Sequence, residues 1–252
     1  MSDYVKQLID LACAGQEELT KASPSAGPLQ WVRRIGRSIR VRVLLAAMRT
    51  GSRLPRARLA GLTLRVAPGM CNPSPLPGVS IEKLFAAGIY DLSADDTVLD
   101  MGTGTGIWAL MASRYRARVT ASDLAHISEG VVADNALFNG LEPPEVVTGD
   151  LFENLVGRRF DRILFNPPFH LGTPQSLGDT AYLGGADGQV LKRFFVEFSD
   201  HLKPGGSVCI ILPAIEWRQY APYLAPFDVI KRQEQWLPLL GVMYCLELRR
   251  SS

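Results

Sequence analysis

The hydrophobic pattern of the chain changes near residue 95. Beyond that point, short apolar runs alternate with stretches whose apolar residues recur every three or four positions. Runs of the first kind are typical of buried strands, and stretches of the second kind are typical of amphipathic helices. The predicted strands are residues 97–100, 118–122, 145–148, 161–165, 207–212, 228–233 and 243–248. The clearest predicted helices are residues 107–114, 128–139 and 191–201.

Strands and helices alternate through the first five predicted strands. This order predicts a doubly wound α/β fold, in which seven strands form a mostly parallel, Rossmann-like sheet with helices on both faces. Only residues 234–242 separate the last two strands. Because a parallel connection needs a dozen or more residues, we expect these two strands to form an antiparallel hairpin at one edge of the sheet.

The first 66 residues follow a different pattern. Residues 3–20 and 29–48 have helical spacing, and residues 62–66 alternate like a short strand. Prolines then crowd residues 72–78, and Ser80 is suited to begin a further helix. The sequence therefore predicts a basic helical N-terminal domain over residues 1–66 and a larger domain over residues 67–252.

Charge divides the chain at the same place. The whole chain carries a net charge of +2, but residues 1–66 carry +8 and the remainder carries −6. Clustered arginines contact nucleic-acid phosphates in many proteins, so RNA is a candidate partner for the segment from Arg33 to Arg58. The favoured alternative is a lid that packs over the acidic larger domain, because no aromatic residue lies among these arginines and only Trp31 precedes them.

Composition argues against several classes of protein. No apolar run approaches the ~18 residues of a membrane-spanning helix, and the first residues lack the apolar core of a signal peptide. The four cysteines lie far apart without a CxxC pair, which argues against a zinc site or a disulfide framework. We therefore expect no metal, no membrane partner and a cytoplasmic location. The sequence does not indicate an oligomeric state.

A glycine-rich loop joins the first predicted strand of the sheet to a helix. It reads Asp-Met-Gly-Thr-Gly-Thr-Gly from Asp100 to Gly106. Glycines let a backbone turn sharply and approach a ligand, and the following helix directs free amides toward it. A tight turn without a ligand is the structural alternative. The spacing departs from the GxGxxG of dinucleotide-binding enzymes.

Acidic residues end the first three predicted strands of the sheet. Asp100 is placed to accept from a ligand ammonium group or a water. Asp123 ends the second strand, where an acid commonly accepts from ribose hydroxyls. Asp150 ends the third strand, with Leu151 and Phe152 placed to cover a base. We favour S-adenosyl-L-methionine over a nicotinamide dinucleotide as the cofactor, because the loop lacks the GxGxxG spacing, no Ser-Tyr-Lys or other hydride-transfer constellation is evident, and Asn-Pro-Pro-Phe follows at residues 166–169.

The fourth strand runs into the sequence Asn-Pro-Pro-Phe, residues 166–169. Methyl transfer to an amide-like nitrogen requires that its delocalised lone pair be turned toward the methyl group. The side-chain oxygen of Asn166 and the backbone oxygen of Pro167 are placed to accept from its two N–H groups, and the prolines restrict this geometry. Phe169 would stack on a planar acceptor or lie near the sulfonium. We expect His170 to be a loop residue with a hydrogen-bonding role, not a base.

Together these motifs resemble the signature of class I S-adenosylmethionine-dependent methyltransferases, in the branch that alkylates amide or amino nitrogen. Residues 184–195, which begin Gly-Gly-Ala-Asp-Gly, are similar to the GGxDG segment that follows NPPY in HemK-type enzymes. Those enzymes methylate the glutamine side chain of peptide release factors. The resemblance covers about residues 64–252 and implies a Rossmann-like methyltransferase fold. Within this segment we expect Asp187 to cap the helix that follows.

The resemblance also implies roles for individual residues. The residues implied to bind the cofactor are Asp100, Gly102, Thr103, Gly104, Gly106, Asp123, Asp150, Leu151 and Asn166. The glycine loop would line the methionine part, Asp123 the ribose, and Asp150 with Leu151 the adenine. Asn166, Pro167 and Phe169 are the implied catalytic residues. Phe169 stands where the glutamine methyltransferases usually have tyrosine, and residues 72–78 lack the arginine and acid of the corresponding family segment.

The sequence thus predicts an N-methyltransferase that acts on an amide or amino nitrogen of a protein side chain or a small molecule. Two alternatives stay open. One is an RNA methyltransferase that modifies an exocyclic amino group of a base. The other consumes S-adenosylmethionine without methyl transfer, by cyclisation or aminoalkyl transfer that releases methylthioadenosine.

Overall fold

The computed structural model describes residues 55–73, 91–214, 217–237 and 241–251. The helices predicted at residues 3–20, at residues 29–48 and from Ser80 lie outside these ranges, as does most of the arginine-rich segment. The division of the chain at residue 66 therefore stays a prediction.

Nine strands and four α-helices are present in the described residues. The strands are β1 (Arg56–Leu59), β2 (Leu62–Arg65), β3 (Thr97–Met101), β4 (Arg118–Asp123), β5 (Glu145–Thr148), β6 (Phe160–Phe165), β7 (Leu202–Pro213), β8 (Phe227–Leu237) and β9 (Gly241–Arg250). The helices are α1 (Ile107–Ser113), α2 (Ile127–Phe138), α3 (Gln189–Glu197) and α4 (Trp217–Leu224).

Seven of the strands form one sheet in the order β5-β4-β3-β6-β7-β9-β8. The five strands from β3 to β7 are parallel, and β9 is antiparallel to both of its neighbours. The predicted doubly wound α/β fold with its antiparallel edge hairpin is confirmed. Strand β9 lies between β7 and β8, so β8 forms the edge of the sheet. At the centre, Leu99, Ile163 and Val208 are fully buried, as a strand covered on both faces requires.

Strand β7 begins five residues earlier than the sequence indicates. The interpretation was wrong here because Pro204, Gly205 and Gly206 read as a loop. The register between β6 and β7 shifts between Phe160 and Arg162. A Cβ at Gly206 would lie 2.9 Å from the carbonyl oxygen of Phe160, so only glycine fits where the two strands approach at this irregularity.

Helix α3 also departs from the sequence interpretation at its ends. It starts at Gln189, with Gly188 at its N-cap in a left-handed conformation (φ 77°) and no side-chain cap. The expected capping role of Asp187 was wrong, because this carboxylate pairs with Lys192 instead (2.8 Å). A 3-10 turn, Phe198–His201, continues the chain from α3 into β7.

Strands β1 and β2 form a separate antiparallel hairpin, whose apolar side chains join the core. The sequence interpretation missed β1, because its two arginines hide the inward-facing Ala57 and Leu59. The two turn residues, Ala60 and Gly61, both have positive φ (53° and 69°), as a tight hairpin turn of this length requires. Arg114 at the end of α1 donates to both of their carbonyl oxygens, at 2.6 and 3.1 Å.

Candidate active site

A cavity of about 500 Å³ opens at the carboxyl ends of the parallel strands. The loops after β3, β4, β5 and β6 line it, which is where open α/β sheets bind their ligands. Nine of the eleven residues predicted from sequence line this one cavity: Gly102, Thr103, Gly104, Asp123, Asp150, Leu151, Asn166, Pro167 and Phe169. Its volume lies in the range of small-molecule and cofactor sites.

The glycine loop turns through left-handed backbone conformations at Gly102 (φ 65°) and Gly104 (φ 52°). No other atom lies within 4 Å of the point where a Cβ would stand on Gly104, so the backbone there is open to a ligand. Two hydrogen bonds to β4 hold the loop. The backbone N–H of Thr103 donates to the carbonyl of Ser122 (2.9 Å), and that of Gly104 donates to Oδ2 of Asp123 (2.7 Å).

Asp100 and Gly106, the other two predicted residues, shape this loop from behind and do not line the cavity. Asp100 is fully buried, and its Oδ2 accepts from Oγ1 of Thr103 (2.6 Å) and the backbone N–H of Ala109 (2.9 Å). Burial raises the pKa of Asp100 to about 7; these hydrogen bonds offset the burial in part, while the charge of Asp123 adds to it. The predicted contact of Asp100 and Gly106 with a cofactor stays a prediction.

Gly106 has a packing role. It adopts φ 83°, and a Cβ added to it would lie 3.0 Å from a methyl carbon of Val132 on α2. Glycine therefore lets the start of α1 approach α2 closely.

Asp123 divides its carboxylate between two backbone amides. Oδ2 accepts from Gly104 as described, and Oδ1 accepts from the N–H of Ala125 (2.9 Å). Burial raises the pKa of Asp123, and these two hydrogen bonds lower it in part. Asp123 lines the cavity, and each carboxylate oxygen can accept a further hydrogen bond. The ribose contact stays a prediction.

The residues after β5 separate into two groups. Asp150 and Leu151 line the cavity, and Leu151 has a positive φ of 52° that reverses the chain. The predicted role of Phe152 as a cover for the base was wrong. Its ring stacks on His201 (ring centroids 4.3 Å apart) and lies against Phe194 (5.7 Å), because the reversal directs it into the core. From outside the cavity, Arg193 on α3 donates to Oδ2 of Asp150 (2.7 Å).

The side-chain oxygen of Asn166 is the most informative polar atom in the cavity. Oδ1 is buried, and no hydrogen-bond donor in the described residues reaches it. A buried carbonyl oxygen without a donor costs roughly 1–3 kcal/mol, so its retention at a cavity wall is typical of a group that binds a ligand. Phe169, three residues later, is 7% exposed and lines the same cavity.

The segment around residue 184 braces the Asn-Pro-Pro-Phe turn. The backbone N–H of His170 donates to the carbonyl of Tyr182 (3.1 Å), and that of Gly184 donates to the carbonyl of His170 (2.9 Å). A Cβ at Gly184 would lie only 2.2 Å from the carbonyl oxygen of Pro168. The paired glycines in the sequence are the signal for this close approach, which sequence reasoning missed.

Further parts of the cavity wall come from residues 68–73 and from the 3-10 turn Leu177–Ala181. Sequence reasoning assigned no site residue to either segment. Cys71 lies in this wall, and burial raises the pKa of its thiol to about 11, offset in part by a hydrogen bond with Tyr182. The thiol is therefore protonated near neutral pH and is a poor nucleophile.

No group of three or more potential metal ligands occurs in the ranges that the structure describes. Over the same ranges, every helix is too short or too polar to span a membrane.

Residues 83–224 match the model of a family described as "Methyltransferase small domain". The chain is 35% identical over 144 residues to the release factor glutamine methyltransferase of Xylella fastidiosa, covering 52% of each protein. It is 31% identical over 163 residues to the ribosomal RNA small subunit methyltransferase C of Pasteurella multocida, covering 62% of this chain and 44% of that protein. The chain thus spans about half the length of these curated relatives.

The fold resembles that of the Thermus thermophilus 16S rRNA N2 G1207 methyltransferase, which was solved with S-adenosylmethionine and guanosine. The TM-score is 0.57 at 22% identity, and the match covers 78% of this chain and 50% of that one.

Proposed function

Because the chain belongs to the methyltransferase small domain family and is an S-adenosylmethionine-dependent methyltransferase, we propose that it methylates an amide or amino nitrogen on a planar group. The acceptor would be a protein side chain or a small molecule. The buried, unpaired Oδ1 of Asn166 carries this proposal. It is a hydrogen-bond acceptor without a donor, and a planar –NH₂ group supplies one.

S-adenosylmethionine supplies an electrophilic methyl group on its sulfonium. The glycine loop and Asp123 would hold the methionine and ribose parts, and Asp150 with Leu151 would hold the adenine. Each of these positions lines the cavity or carries the loop that does.

Asn166 would orient the acceptor nitrogen. Its Oδ1 would take one N–H of the acceptor and the backbone oxygen of Pro167 the other, which turns the nitrogen lone pair out of conjugation and toward the methyl group. Phe169 would stack on the planar group. The proton can leave after the nitrogen has been alkylated, so this reaction needs no strong base.

A second candidate, methylation of an RNA base, is favoured by the outer face of the hairpin. Arg56 and Arg58 alternate along β1, and Arg65 lies opposite Arg56 in the register. All three side chains are exposed, and within the described residues only Arg65 has a carboxylate partner, Asp134 at 2.5 Å. Exposed guanidinium groups on one face of the hairpin suit a phosphate backbone.

The nucleoside product tests the reaction class. The protein is incubated with S-adenosylmethionine, first alone and then with candidate acceptors such as glutamine-containing peptides and RNA, and the products are identified by mass. We expect S-adenosylhomocysteine to form only when an acceptor is present. Methylthioadenosine formed without an acceptor would instead establish consumption of the aminoalkyl arm and overturn methyl transfer.

RNA binding separates the two acceptor classes. If RNA is the acceptor, its affinity should fall steeply with salt, and Arg56→Ser combined with Arg58→Ser should weaken it at least tenfold. Lack of RNA binding at low salt would exclude this second candidate and leave a protein or small-molecule acceptor.

A further inference from the structure

Helix α2 occupies the place of a third strand beside the β1–β2 hairpin. In an antiparallel pair only alternate residues face the neighbouring strand, so the N–H and C=O groups of Thr63 and Arg65 face away from β1. Two carboxamides one turn apart pair with all four groups: Asn135 lies on α2, and Asn139 is the residue that caps its C-terminus. Asn139 accepts from the N–H of Thr63 (2.9 Å) and donates to its carbonyl (2.8 Å). Asn135 does the same at Arg65 (2.7 and 3.1 Å).

The two asparagines differ in where their second amide hydrogen goes. In Asn139, Nδ2 also donates to the backbone carbonyl of Asn135 within α2 (2.7 Å). In Asn135, Nδ2 also donates to the backbone carbonyl of Thr105 in the glycine loop (2.9 Å). Asn135 is 1% exposed, so this bond is shielded from water. One side chain therefore joins the hairpin to the loop.

Both of these connected elements line the cavity. The glycine loop lines it through residues 102–105, while the hairpin contributes Leu59 and leads directly into the wall of residues 68–73. We propose that Asn135 is a positioning residue for cofactor binding, which fixes the carbonyl of Thr105 and so holds the glycine loop in place relative to the hairpin. This inference rests on the proposed function, because it concerns the same cavity.

Loss of the Asn135 carboxamide would leave the Thr105 carbonyl without its donor, one residue after Gly104. Since a glycine backbone has no side chain to limit it, the loop would then sample other conformations. A cofactor would have to order the loop on binding, at a cost in affinity. Loss of the Asn139 carboxamide would release the hairpin equally at Thr63 but leave the loop untouched.

The test compares Asn135→Ala with its matched control, Asn139→Ala, by titration calorimetry with S-adenosylhomocysteine. We expect both variants to lower the melting temperature. Only Asn135→Ala should raise the Kd, by about tenfold, with Asn139→Ala within about twofold of the wild type. Equal changes in Kd for the two variants would overturn the positioning role while leaving the proposed function intact. A wild type that does not bind this nucleoside would overturn both.

Amide hydrogen exchange on the wild type decides the matter even if Asn135→Ala fails to fold. The N–H of Arg65 is held by Asn135, and the N–H of Thr63 by Asn139. If the loop and hairpin are coupled through Asn135, S-adenosylhomocysteine should slow exchange at Arg65 about threefold more than at Thr63. Equal slowing at the two amides, or none at Arg65, would contradict the inference.

Discussion

The two ends of strand β6 treat polar groups in opposite ways. At the amino end, Oδ2 of Asp161 accepts from the N–H and the hydroxyl of Thr97 (2.8 and 2.7 Å) and from Nζ of Lys203 (2.7 Å). At the carboxyl end, Oδ1 of Asn166 is buried without a donor in the described structure. The polar group at the amino end of β6 therefore stabilises the fold, while the one at the carboxyl end is available to bind a ligand.

A second polar network joins β6 to its neighbouring strands near the same end. Arg162 on β6 pairs with Glu247 on β9, and the hydroxyl of Ser207 on β7 donates to the same carboxylate (2.7 Å). Glu247 is 4% exposed. This network joins three adjacent strands at a distance from the cavity, so changes there should alter stability without altering chemistry.

The largest expected effect comes from Asn166→Ala, which removes the unpaired acceptor. We expect the rate of methyl transfer to fall by about 10³-fold, as for other residues that act on the reacting group. S-adenosylhomocysteine should still bind within about threefold of wild type, and the melting temperature should hardly change because no hydrogen bond is lost. Single-turnover rates and calorimetry measure this. An unchanged rate would remove Asn166 from the mechanism.

Glu247→Ala is expected to have a large effect on stability and little effect on binding. It leaves the largely buried guanidinium of Arg162 without its carboxylate partner, which should lower the free energy of unfolding by about 3 kcal/mol. Urea denaturation measures the loss, and Glu247→Gln is the control that keeps the shape and a hydrogen-bond acceptor. We expect the affinity for S-adenosylhomocysteine to persist. If the free energy of binding changes by more than the free energy of unfolding, the two ends of the strands are not independent.

A smaller, pH-dependent effect is expected at Asp161. Burial pushes its pKa upward, but the hydrogen bonds from Lys203 and Thr97 outweigh burial and lower the pKa from 3.8 to about 2. The carboxylate therefore stabilises the fold fully above pH 3.8, and this contribution disappears as the pH falls through about 2. A third of the side chain is exposed, so solvent screening reduces the contribution to about 1 kcal/mol.

Asp161→Asn should thus be less stable than wild type at pH 7, and most of this difference should be gone at pH 2. Urea unfolding at several pH values measures the difference. A constant difference over this range would show that the loss comes from packing and not from charge.

The smallest expected effect concerns the carboxyl ends of the strands, where the cavity lies. Arg193 and Asp150 are each about half exposed, at 47% and 46%, so their pairing should contribute little to stability. If Arg193 orients Asp150 toward an adenine, Arg193→Met should weaken S-adenosylhomocysteine binding about twofold to threefold. The matched control is Lys192→Met, because Lys192 lies on the same helix as Arg193 and its own ion pair, with Asp187, is removed. Equal affinities in both variants would assign Arg193 no role in binding.

Most of the sheet was predictable because its signals are local. The apolar runs before Asp100, Asp123 and Asn166 mark β3, β4 and β6 to within two residues, since a strand buried on both faces must be apolar along its length. The positions of the chemical groups followed, because parallel strands bring their carboxyl ends to one edge. A pattern of this kind contains both the fold and the location of the site.

The errors arose where distant residues decide. The direction of Phe152 depends on the left-handed turn at Leu151, which no local pattern indicates for a leucine. The close contact of Gly184 with Pro168 joins segments that are distant in sequence. Asp187 does not cap α3, because its carboxylate forms an ion pair with Lys192 instead.

The hydrogen bonds from Asn135 and Asn139 to the hairpin bear on which residues β2 can contain. Asn135 and Asn139 bind only main-chain atoms of β2, and every non-proline residue offers the same atoms. At these contacts Thr63 and Arg65 are therefore replaceable by any residue except proline, whereas Leu62 and Leu64 between and beside them are buried in the core and must stay apolar.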